Sequence, residues 1–366
     1  MEKINRSAAG FGPEARLDML PSPHGGGEGK FSGQIRYDEP MSRHTTFKVG
    51  GKADVWVRPG KETFPGYAAR LLKAAGEEGI PVFVLGAGAN IVVSDRGIRG
   101  IVLDTGAFRG IGKREGRKAP EERAIKEEDL PEEEYISKRG VDFETLKVRR
   151  GASLFSVAVL AGTSVDGLVS RLADRGLSGL EFLAGMPGSV GGAVWMNARC
   201  YEKSVSDVLI ETEILDENYQ RQKIPFRPED FSYKKSPFQG RNTLILQARF
   251  AVQFRQSPDI RREIVSYRQD RTDKGHYNFP SAGSAFKNNR DFGDPTGKII
   301  DHLGLRGLSM GGAQVAPWHG NIIINTGSAT AKDIRVLMAE VARRVKAERG
   351  FDLESEILFV GDWDEK

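Results

Sequence analysis

Ser284 is the residue whose type and setting most directly raise the question of catalysis. It lies in PSAGSAFKNN, residues 280–289, behind an Ala-Gly step and ahead of a lysine and two asparagines. A hydroxyl that small neighbours leave open to a ligand can transfer a proton to a reacting atom. A serine beside a glycine is also typical of an ordinary turn. On this stretch alone the turn is the favoured interpretation, and a catalytic role depends on what other motifs supply.

A first glycine-rich segment, LGAGAN, ends a predicted strand with small residues that would let backbone N–H groups approach a phosphate. A tight turn explains such a G-x-G at least as often. The segment also lacks the dinucleotide fingerprint of a strand followed by a helix, because the next residues, IVVSD, predict a strand. The candidate cofactor-binding residues here are Gly86, Ala87, Gly88, Ala89 and Asn90.

A second segment, AGMPGSVGGAVWMNA, contains four glycines within eight residues. Each glycine costs conformational entropy on folding, so this density favours backbone that contacts a ligand over a plain loop. The candidate cofactor-binding residues here are Gly185, Met186, Pro187, Gly188, Ser189, Val190, Gly191 and Gly192. Together the two segments favour a bound diphosphate, whose charge the backbone N–H groups would meet.

The composition is that of a soluble globular chain. Of 366 residues, 44 are glycine, above the usual share of about 7%. Cys200 is the single cysteine, which excludes an internal disulfide and fits a reducing compartment. No apolar run approaches about 18 residues, and the N-terminus lacks the pattern of a signal peptide. We therefore expect a cytoplasmic protein without a membrane segment, whose net charge of +4 suits an anionic small molecule.

The elements that must position these residues begin after a loose N-terminal arm, residues 1–38, which is rich in Gly and Pro. Two alternating runs that flank Gly50-Gly51 predict a β-hairpin. Apolar spacing predicts a helix over residues 67–76, and PVFVLG, IVVSD and GIVLDT predict three short strands. Residues 112–140 are mostly charged and predict a solvated surface insertion.

The rest of the chain predicts an α+β organisation in two lobes that meet near residue 250. TLKVRRGASLFSVAVLAG predicts a strand running into a helix, and VLIETEIL and TLILQARFAVQF predict strands. The last long helix begins at Thr330, with Asp333 completing a capping box, and ends at Gly350. The final strand is EILFVG. The predicted apolar face of the helix consists of Ile334, Met338, Val341 and Val345.

Six motifs together resemble the UDP-N-acetylenolpyruvoylglucosamine reductase (MurB) family. They are HTTFKVGGKADVWV, VLGAGANIVVSD, GLSGLEFLAGMPGSVGGAVWMNA, FPSAGSAFKNN, GLSMGGAQVAPWHGNIIIN and LESEILFVG. They occur in that family's order, and long motifs that match as a set are highly specific. The extra segment of the family's first type is missing between Phe254 and Ser284, so the chain resembles the shorter, second type.

The resemblance implies an α+β fold in which an FAD-binding lobe of the vanillyl-alcohol-oxidase (PCMH) type, residues 39–250, precedes a C-terminal α/β substrate-binding lobe, residues 251–366. It implies non-covalent FAD, with NADPH as the reductant. The implied reaction reduces UDP-N-acetylglucosamine enolpyruvate to UDP-N-acetylmuramate in peptidoglycan precursor synthesis. A monomer that takes a small-molecule UDP-sugar is expected, without a metal site, a nucleic-acid partner or membrane association.

Three catalytic residues follow from the resemblance. Hydride addition at the β-carbon of an enolpyruvyl group leaves an anion beside the carboxylate, which needs stabilisation and a proton at the α-carbon. The family's serine proton donor falls on Ser284, and its glutamate falls on Glu356 rather than Glu354. Lys234 replaces the arginine that stabilises the enolate, keeping the charge but losing the planar fork. Either Lys234 acts as a point charge, or another cation such as Arg199 has taken over this role.

Substrate contacts carry over to Tyr233, Lys287, Asn288 and His319. Tyr233 precedes Lys234 in the same motif, and Asn288 follows the serine motif at the sugar or enolpyruvate end. Lys287 fits a phosphate or a nearby carboxylate equally well. His319 fits a substrate contact or a histidine that caps the start of a strand, so the structural alternatives stay open for both residues.

Two other functions also remain open from the sequence. A related FAD oxidoreductase with another substrate would often attach its flavin through His or Cys, for which His44 and Cys200 are the candidates near the glycine-rich segments. A non-catalytic protein that binds flavin or a UDP-sugar would account for the replacements at Lys234 and Arg199. It would not account for the retention of Ser284 and of the glutamate in the last motif.

Overall fold

The computed structural model describes residues 32–111 and 154–363. The charged insertion predicted over residues 112–140 lies outside the described residues, as do residues 1–31 of the predicted arm. None of the helices in the described part of the chain combines the length and the apolar character that crossing a membrane requires.

The first part of the chain forms five strands and one long helix. These are β1 (Gly33–Pro40), β2 (Lys52–Pro59), α1 (Phe64–Glu77), β3 (Val82–Leu85), β4 (Ile91–Val93) and β5 (Ile98–Asp104). Four of the strands form a sheet in the order β1–β2–β5–β3, antiparallel between β1 and β2 and parallel elsewhere. The helix predicted over residues 67–76 is confirmed as α1, which buries Leu71 and Ala75 in the same core as Val55 of the sheet.

The hairpin predicted around Gly50-Gly51 is wrong. Strand β2 pairs with β1 instead, with Glu39 opposite Ala53, while residues 44–51 form turns and irregular chain. Residues 33–38 of the predicted loose arm therefore belong to a strand. Most side chains of β1 are exposed, and an edge strand without a buried face shows no apolar alternation in its sequence.

The middle of the chain forms a second, antiparallel sheet with helices on one face. Its elements are β6 (Leu154–Leu160), α2 (Val165–Asp174), β7 (Leu177–Ser178), α3 (Val190–Trp195), β8 (Arg199–Cys200), β9 (Lys203–Ser204), β10 (Leu209–Leu215), β11 (Arg221–Pro225), β12 (Leu244–Phe254) and α4 (Ser257–Asp273). The strand order is β11–β10–β12–β6, and β7 pairs with the end of β12. One core contains Leu168 of α2, Val194 of α3, Ile260 of α4 and Phe250 of β12.

Two predictions for this region differ from the structure. TLKVRRGASLFSVAVLAG was predicted as a strand that runs into a helix. In its described part LFSVAVL forms strand β6, paired with β12, because a short apolar run fits a buried strand as well as a helix. A boundary at residue 250 would cut strand β12 in two. Helix α4 packs on the same core as β12, so by packing the second lobe begins after Asp273.

The C-terminal lobe is built around one long helix. Its elements are α5 (Thr296–His302), β13 (Ser309–Met310), β14 (Ala313–Val315), β15 (Ile323–Asn325), α6 (Ala331–Arg349) and β16 (Leu358–Val360). The Thr330 hydroxyl accepts from the Asp333 N–H at 3.0 Å, and the Asp333 carboxylate accepts from the Thr330 N–H at 2.9 Å, so the predicted capping box is confirmed. The predicted apolar face is buried, and Gly350 ends the helix at φ +74°.

The last strand of the C-terminal lobe pairs with a strand of the first part of the chain. Strand β16 pairs in parallel with β4, with Leu358 opposite Ile91 and Val360 opposite Val93. Because Ile91 directly follows the first glycine-rich segment, this pairing places the end of the C-terminal lobe against that segment.

Candidate active site

Ser284 and Glu356 lie on neighbouring extended segments of the C-terminal lobe. The Ala285 N–H donates to the Asn321 carbonyl at 2.8 Å, and the Ala285 carbonyl accepts from the Glu356 N–H at 2.9 Å. An isolated antiparallel bridge joins Ser284 to Ile322. Backbone pairing thus brings together two predicted catalytic residues that are far apart in sequence.

The end of the first glycine-rich segment is hydrogen-bonded to the segment that contains Glu356. The Asn90 side-chain amide donates to the Glu356 carbonyl at 3.0 Å, and the Asn90 carbonyl accepts from the Leu358 N–H at 3.0 Å. The same amide lies 3.7 Å from the sulfur of Met196, just after α3. Asn90 therefore joins the two lobes where the cofactor and catalytic residues are predicted.

The two glycine-rich segments contact each other and the chain before β2. A Cβ on Gly86 would lie 2.4 Å from Ser189 Oγ. A Cβ on Gly88, whose φ is +63°, would lie 2.0 Å from the His44 carbonyl oxygen, and the Gly88 carbonyl accepts from the Thr46 N–H at 3.1 Å. The contact with backbone therefore requires a residue without a side chain at position 88, whereas at position 86 the neighbour is a side-chain hydroxyl.

Packing also accounts for two glycines of the second segment. Gly185 has φ +72°, and a Cβ there would lie 2.4 Å from the Tyr277 hydroxyl, which donates to the Gly185 carbonyl at 2.6 Å. The Gly185 N–H donates to Asp166 Oδ1 at 2.6 Å. A Cβ on Gly191 would lie 2.9 Å from the Ala161 Cβ. The packing of Gly185 and Gly191 therefore gives part of the glycine density in this segment a structural reason, and the predicted contact with a cofactor stays a prediction.

The backbone of the first segment fits the diphosphate of a dinucleotide cofactor. Across residues 32–111 and 154–363, no protein acceptor receives a hydrogen bond from the backbone N–H groups of residues 86–90. In the second segment, the Val190 N–H donates to the Thr163 carbonyl and the Gly192 N–H donates to Ser189 Oγ. Consecutive N–H groups beside small side chains form a concave site for an anion. The first segment therefore has the donors that a diphosphate needs.

Lys234 and Glu356 are in direct contact. The Lys234 Nζ lies 2.5 Å from Glu356 Oε1, and the two side chains are only 11% and 12% exposed. Lys234 comes from the turn before β12, and Glu356 precedes β16, so the ion pair links the two lobes. A charge-assisted hydrogen bond of this kind fixes the position of both groups. The three predicted catalytic residues are therefore a contacting pair and a serine on the adjacent segment.

Lys234 occupies a tight turn with unusual backbone geometry. Ser232 and Lys235 exchange two backbone hydrogen bonds of 3.3 and 3.0 Å across the turn. Lys234 itself has φ +59°, in the left-handed region that residues with a side chain rarely adopt. Such geometry persists only where surrounding contacts impose it, and it is concentrated at functional sites.

Three of the predicted substrate-binding residues lie at one edge of this site. The Tyr233 hydroxyl accepts from the Asn288 N–H at 3.4 Å, and the Asn288 side-chain oxygen accepts from the Thr296 N–H at 2.9 Å at the start of α5. Lys287 forms an ion pair with Glu354. Lys287 therefore has the nearby carboxylate partner that was one of its two predicted roles. The Tyr233 side chain is 38% exposed.

His319 has a structural partner, and its burial favours the neutral imidazole. Its Nδ1 accepts from the Asn321 N–H at 3.1 Å, and burial lowers the pKa of His319 below its ordinary value of 6.5. A neutral imidazole whose Nδ1 accepts carries its proton on Nε2 and can donate there. The ring of His276 lies 6.2 Å away, and burial, together with the charge of Arg271, lowers the pKa of His276 to about 4.

Arg199 is engaged with other side chains. Its Nη2 lies 2.6 Å from Glu202 Oε2, and the same carboxylate oxygen lies 3.4 Å from Arg290 Nη2. The Glu202 side chain is 80% exposed, so this cluster lies at the surface. The cation that the structure places against Glu356 is Lys234, which favours the first of the two alternatives for the replaced arginine.

The two side chains considered for covalent flavin attachment also have protein partners. His44 Nε2 lies 2.9 Å from Glu39 Oε1. Cys200 Sγ lies 2.9 Å from the Arg271 guanidinium and 3.9 Å from the sulfur of Met186. Met186 belongs to the second glycine-rich segment, so Cys200 lies beside that segment, whereas His44 lies beside the first.

Two side-chain amides that sequence analysis did not single out hold the Lys234 turn. Gln239 Nε2 donates to the Lys234 carbonyl at 3.0 Å and to the Trp195 carbonyl at 2.9 Å. Asn197 Nδ2 donates to the Ser232 carbonyl at 2.9 Å. Both amides lie near recognised motifs, but their partners are backbone carbonyls, which no sequence motif identifies.

Comparison with known proteins bears on the whole chain. The model of the UDP-N-acetylenolpyruvoylglucosamine reductase C-terminal domain matches residues 275–360. The UDP-N-acetylenolpyruvoylglucosamine reductase of Treponema denticola is 36% identical over 343 residues, covering 90% of this chain and 95% of that protein. The enzyme of the same name from Borreliella burgdorferi is 37% identical and covers 88% and 93%. The crystal structure of the reductase (MurB) from Thermus caldophilus has a TM-score of 0.63 and 30% identity, covering 90% of this chain and 99% of that one.

The fold is α+β and is shared with that reductase over 90% of this chain, as the fold prediction stated. The relatives match nearly the whole chain at more than 30% identity, and the C-terminal lobe matches the domain model. The chain belongs to the UDP-N-acetylenolpyruvoylglucosamine reductase family, which confirms the resemblance inferred from its six motifs.

Proposed function

We propose that this chain reduces the enolpyruvyl ether of UDP-N-acetylglucosamine enolpyruvate to UDP-N-acetylmuramate, using FAD and NADPH. The relatives have the name of that reductase, and this chain matches them over nearly their full length. The observation that carries the proposal for this chain is the 2.5 Å contact between Lys234 and Glu356 beside the segment that holds Ser284. It supports a charged, largely dry site at the junction of the lobes.

FAD supplies hydride chemistry when bound. The N–H groups of residues 86–90, which donate to no acceptor within the described part of the chain, would hold its diphosphate. The second segment, residues 185–192, forms the wall that packs against the first through Gly86 and Ser189. Because hydrogen bonds to protein acceptors already engage several N–H groups of the second segment, we assign diphosphate binding mainly to the first.

Ser284 donates a proton to the α-carbon of the substrate in this proposal. Hydride addition at the β-carbon converts the carbon–carbon double bond to a single bond and leaves the electron pair at the α-carbon, where one proton completes the reduction. A serine hydroxyl is a weak acid, so the anion must be strongly basic or a relay must return the proton. Glu356, one extended segment away, would hydrogen-bond the water of such a relay.

Lys234 stabilises the negative charge that develops beside the substrate carboxylate. Its ammonium is fixed by Glu356, so it does not have to reorganise as the charge forms. A lysine offers a point charge where an arginine would offer two parallel donors, and so it constrains the orientation of the carboxylate less. We therefore expect Lys234 to suffice for turnover.

The remaining assignments concern the residues that contact the substrate, the oligomeric state and the cellular location. We assign Tyr233, Lys287, Asn288 and His319 to the substrate side, with His319 as a neutral donor through Nε2. Lys287 would exchange its pairing with the exposed Glu354 for a substrate phosphate. We propose a cytoplasmic monomer that acts on a soluble UDP-sugar.

The test follows the two half-reactions separately in the purified protein with bound flavin. NADPH should bleach the flavin absorbance at about 450 nm under anaerobic conditions, and the enolpyruvyl UDP-sugar should restore it. Ser284→Ala should leave the bleaching unchanged and slow the restoration by about a hundredfold, the lower range for loss of a proton donor. Ser281→Ala, three residues earlier in the same motif, is the matched control and should slow neither step.

Three outcomes would contradict the proposal in different ways. Bleaching by NADPH without restoration by the UDP-sugar would assign the chain to a flavin oxidoreductase with another substrate. A native chain that binds the UDP-sugar but holds no flavin would indicate the non-catalytic alternative. Restoration at the native rate in Ser284→Ala would keep the reaction and remove the serine from it.

A further inference from the structure

The Lys234 turn is anchored at both ends by side-chain amides. Asn197 Nδ2 donates to the carbonyl of Ser232, the first residue of the turn, at 2.9 Å. Gln239 Nε2 donates to the carbonyl of Lys234 itself at 3.0 Å. The second contact is the more informative one, because it acts on the residue whose backbone is left-handed.

The backbone of Lys234 needs such an anchor. At φ +59° the Cβ of a residue with a side chain crowds its own following carbonyl, so a free chain would rotate back to negative φ. Rotation of this peptide would swing the side chain away from Glu356 Oε1, which now lies 2.5 Å from the ammonium. The hydrogen bond from Gln239 opposes that rotation, since it fixes the direction of the Lys234 carbonyl.

The same amide connects the turn to helix α3. Gln239 Nε2 also donates to the Trp195 carbonyl at 2.9 Å, and the Ser236 hydroxyl donates to that carbonyl at 2.7 Å. Helix α3 begins directly after Ser189, whose hydroxyl caps it and lies against Gly86. One amide nitrogen thus joins the catalytic cation to the far end of the helix that starts at the glycine-rich segments.

We propose that Gln239 is a positioning residue: its side-chain amide holds Lys234 in the left-handed conformation that aims the ammonium at Glu356 and the substrate. It acts through the Lys234 carbonyl and does not itself meet substrate or flavin. The inference rests on the proposed function insofar as Lys234 serves substrate reduction. The geometric part, the direction of the Lys234 side chain, stands independently of the reaction.

The first experiment is a double-mutant cycle on the holoenzyme, with Gln239→Leu introduced into the native chain and into Lys234→Met. Gln239→Leu keeps the size of the side chain and removes the amide. We expect it to slow restoration of the flavin by the enolpyruvyl UDP-sugar about tenfold and to change bleaching by NADPH less than about twofold. In the Lys234→Met background it should add less than about a further twofold. Equal losses in both backgrounds would overturn the inference.

Ser236→Ala is the matched control. It removes a hydrogen bond to the same Trp195 carbonyl from a residue of the same turn region, but leaves the Lys234 carbonyl bonded to Gln239. We expect restoration to slow less than about threefold. A loss as large as that of Gln239→Leu would assign the effect to the contact with α3, and the inference would be wrong.

A second measurement does not depend on turnover. Acylation of lysines by a small amine-reactive ester, followed by peptide mass spectrometry, compares Lys234 with its exposed neighbour Lys235. In the native chain Lys234 is 11% exposed and paired, so it should react slowly. Gln239→Leu should raise the rate at Lys234 relative to Lys235 about fivefold. An unchanged ratio would overturn the inference, whereas a changed ratio in a chain that does not reduce the UDP-sugar would contradict only the proposed function.

Discussion

Replacing Lys234 with methionine removes the charge opposite Glu356 and keeps an unbranched side chain of similar length. The Glu356 carboxylate, 12% exposed, would then lose the ammonium that lies 2.5 Å away. Breaking a buried ion pair at one partner costs about 3–5 kcal/mol, because an uncompensated charge remains. The pair keeps some contact with solvent, so we expect Lys234→Met to lower the free energy of unfolding by about 3 kcal/mol.

Two further variants, Glu356→Gln and the double variant Lys234→Met/Glu356→Gln, separate stability from catalysis. Glu356→Gln leaves an ammonium on a flexible stem that can turn toward water, so the expected loss is smaller, about 1–2 kcal/mol. In Lys234→Met/Glu356→Gln neither charge is left without its partner, and stability should lie within about 1 kcal/mol of the native value. Reduction of the UDP-sugar should stay impaired in both variants that lack the Lys234 ammonium, since regained stability does not restore the cation. It should also stay impaired in Glu356→Gln, which keeps the ammonium and loses the carboxylate that fixes it.

Urea unfolding of each variant at neutral pH, followed by tryptophan fluorescence and circular dichroism, gives the free energies. Lys235→Met is the control for removing a lysine from this turn, and its exposed side chain predicts a change within about 0.5 kcal/mol. The reasoning would be refuted if the double variant lost the sum of the two single losses. It would also be refuted if Lys234→Met were as stable as Lys235→Met.

Three further predictions concern stability. Gly88→Ala should cost more than about 3 kcal/mol, because its Cβ would meet the His44 carbonyl oxygen at 2.0 Å, whereas Gly240→Ala, also at positive φ but with nothing within 4 Å, should cost about 1–2 kcal/mol; equal urea midpoints would contradict the packing argument. Burial lowers the pKa of His276 to about 4 from 6.5, so the unfolded chain binds its proton first and stability is lost as pH falls from 6.5 to 4. The full shift would correspond to roughly 3 kcal/mol, which partial exposure reduces to about 1–2 kcal/mol, and His276→Gln should remove this part of the acid sensitivity, as urea midpoints over that pH range would reveal. Thr330→Ala should lower the free energy of unfolding by about 1 kcal/mol, because it removes the hydroxyl that caps α6. Thr330→Ser keeps a hydroxyl and should retain most of that stability; equal losses of stability in thermal unfolding of the two variants would contradict the cap.

Elements that depend on local sequence were predictable. The capping box of Thr330 and Asp333, the left-handed stop at Gly350 and helix α1 each follow from residues within a few positions of one another. The proposed catalytic residues could be found only from the motifs taken together. Ser284 and Glu356 carry no local signal that distinguishes them from a turn serine and a strand carboxylate, and only the motifs as a set identified them.

Elements that depend on distant partners were not predictable. Strand β1 has no buried apolar face, so its sequence shows no apolar alternation. Its partner β2 is separated from it by residues 41–51, whose sequence around Gly50-Gly51 resembles that of a β-hairpin. The proposed role of Gln239 depends on two backbone carbonyls, that of Lys234 and that of Trp195 at the end of helix α3. Gly185 and Gly191 suggested a ligand because their packing partners, Tyr277 and Ala161, cannot be assigned to them from sequence.

The position of the proposed catalytic carboxylate, Glu356, depends on the register between β16 and β4. Leu358 lies opposite Ile91, so Glu356 arrives two residues before the pairing begins and Asn90 arrives one residue before it. A shift by one residue would move Glu356 by about 3.3 Å and turn its side chain to the other face of the strand. Asn90 opposes that shift, because its carbonyl accepts from the Leu358 N–H and its side chain donates to the Glu356 carbonyl. The asparagine that ends the first glycine-rich segment therefore fixes the distance from that segment to the Glu356 segment. A diphosphate would need only backbone N–H groups at position 90, so the link between the lobes is what the Asn90 side chain adds.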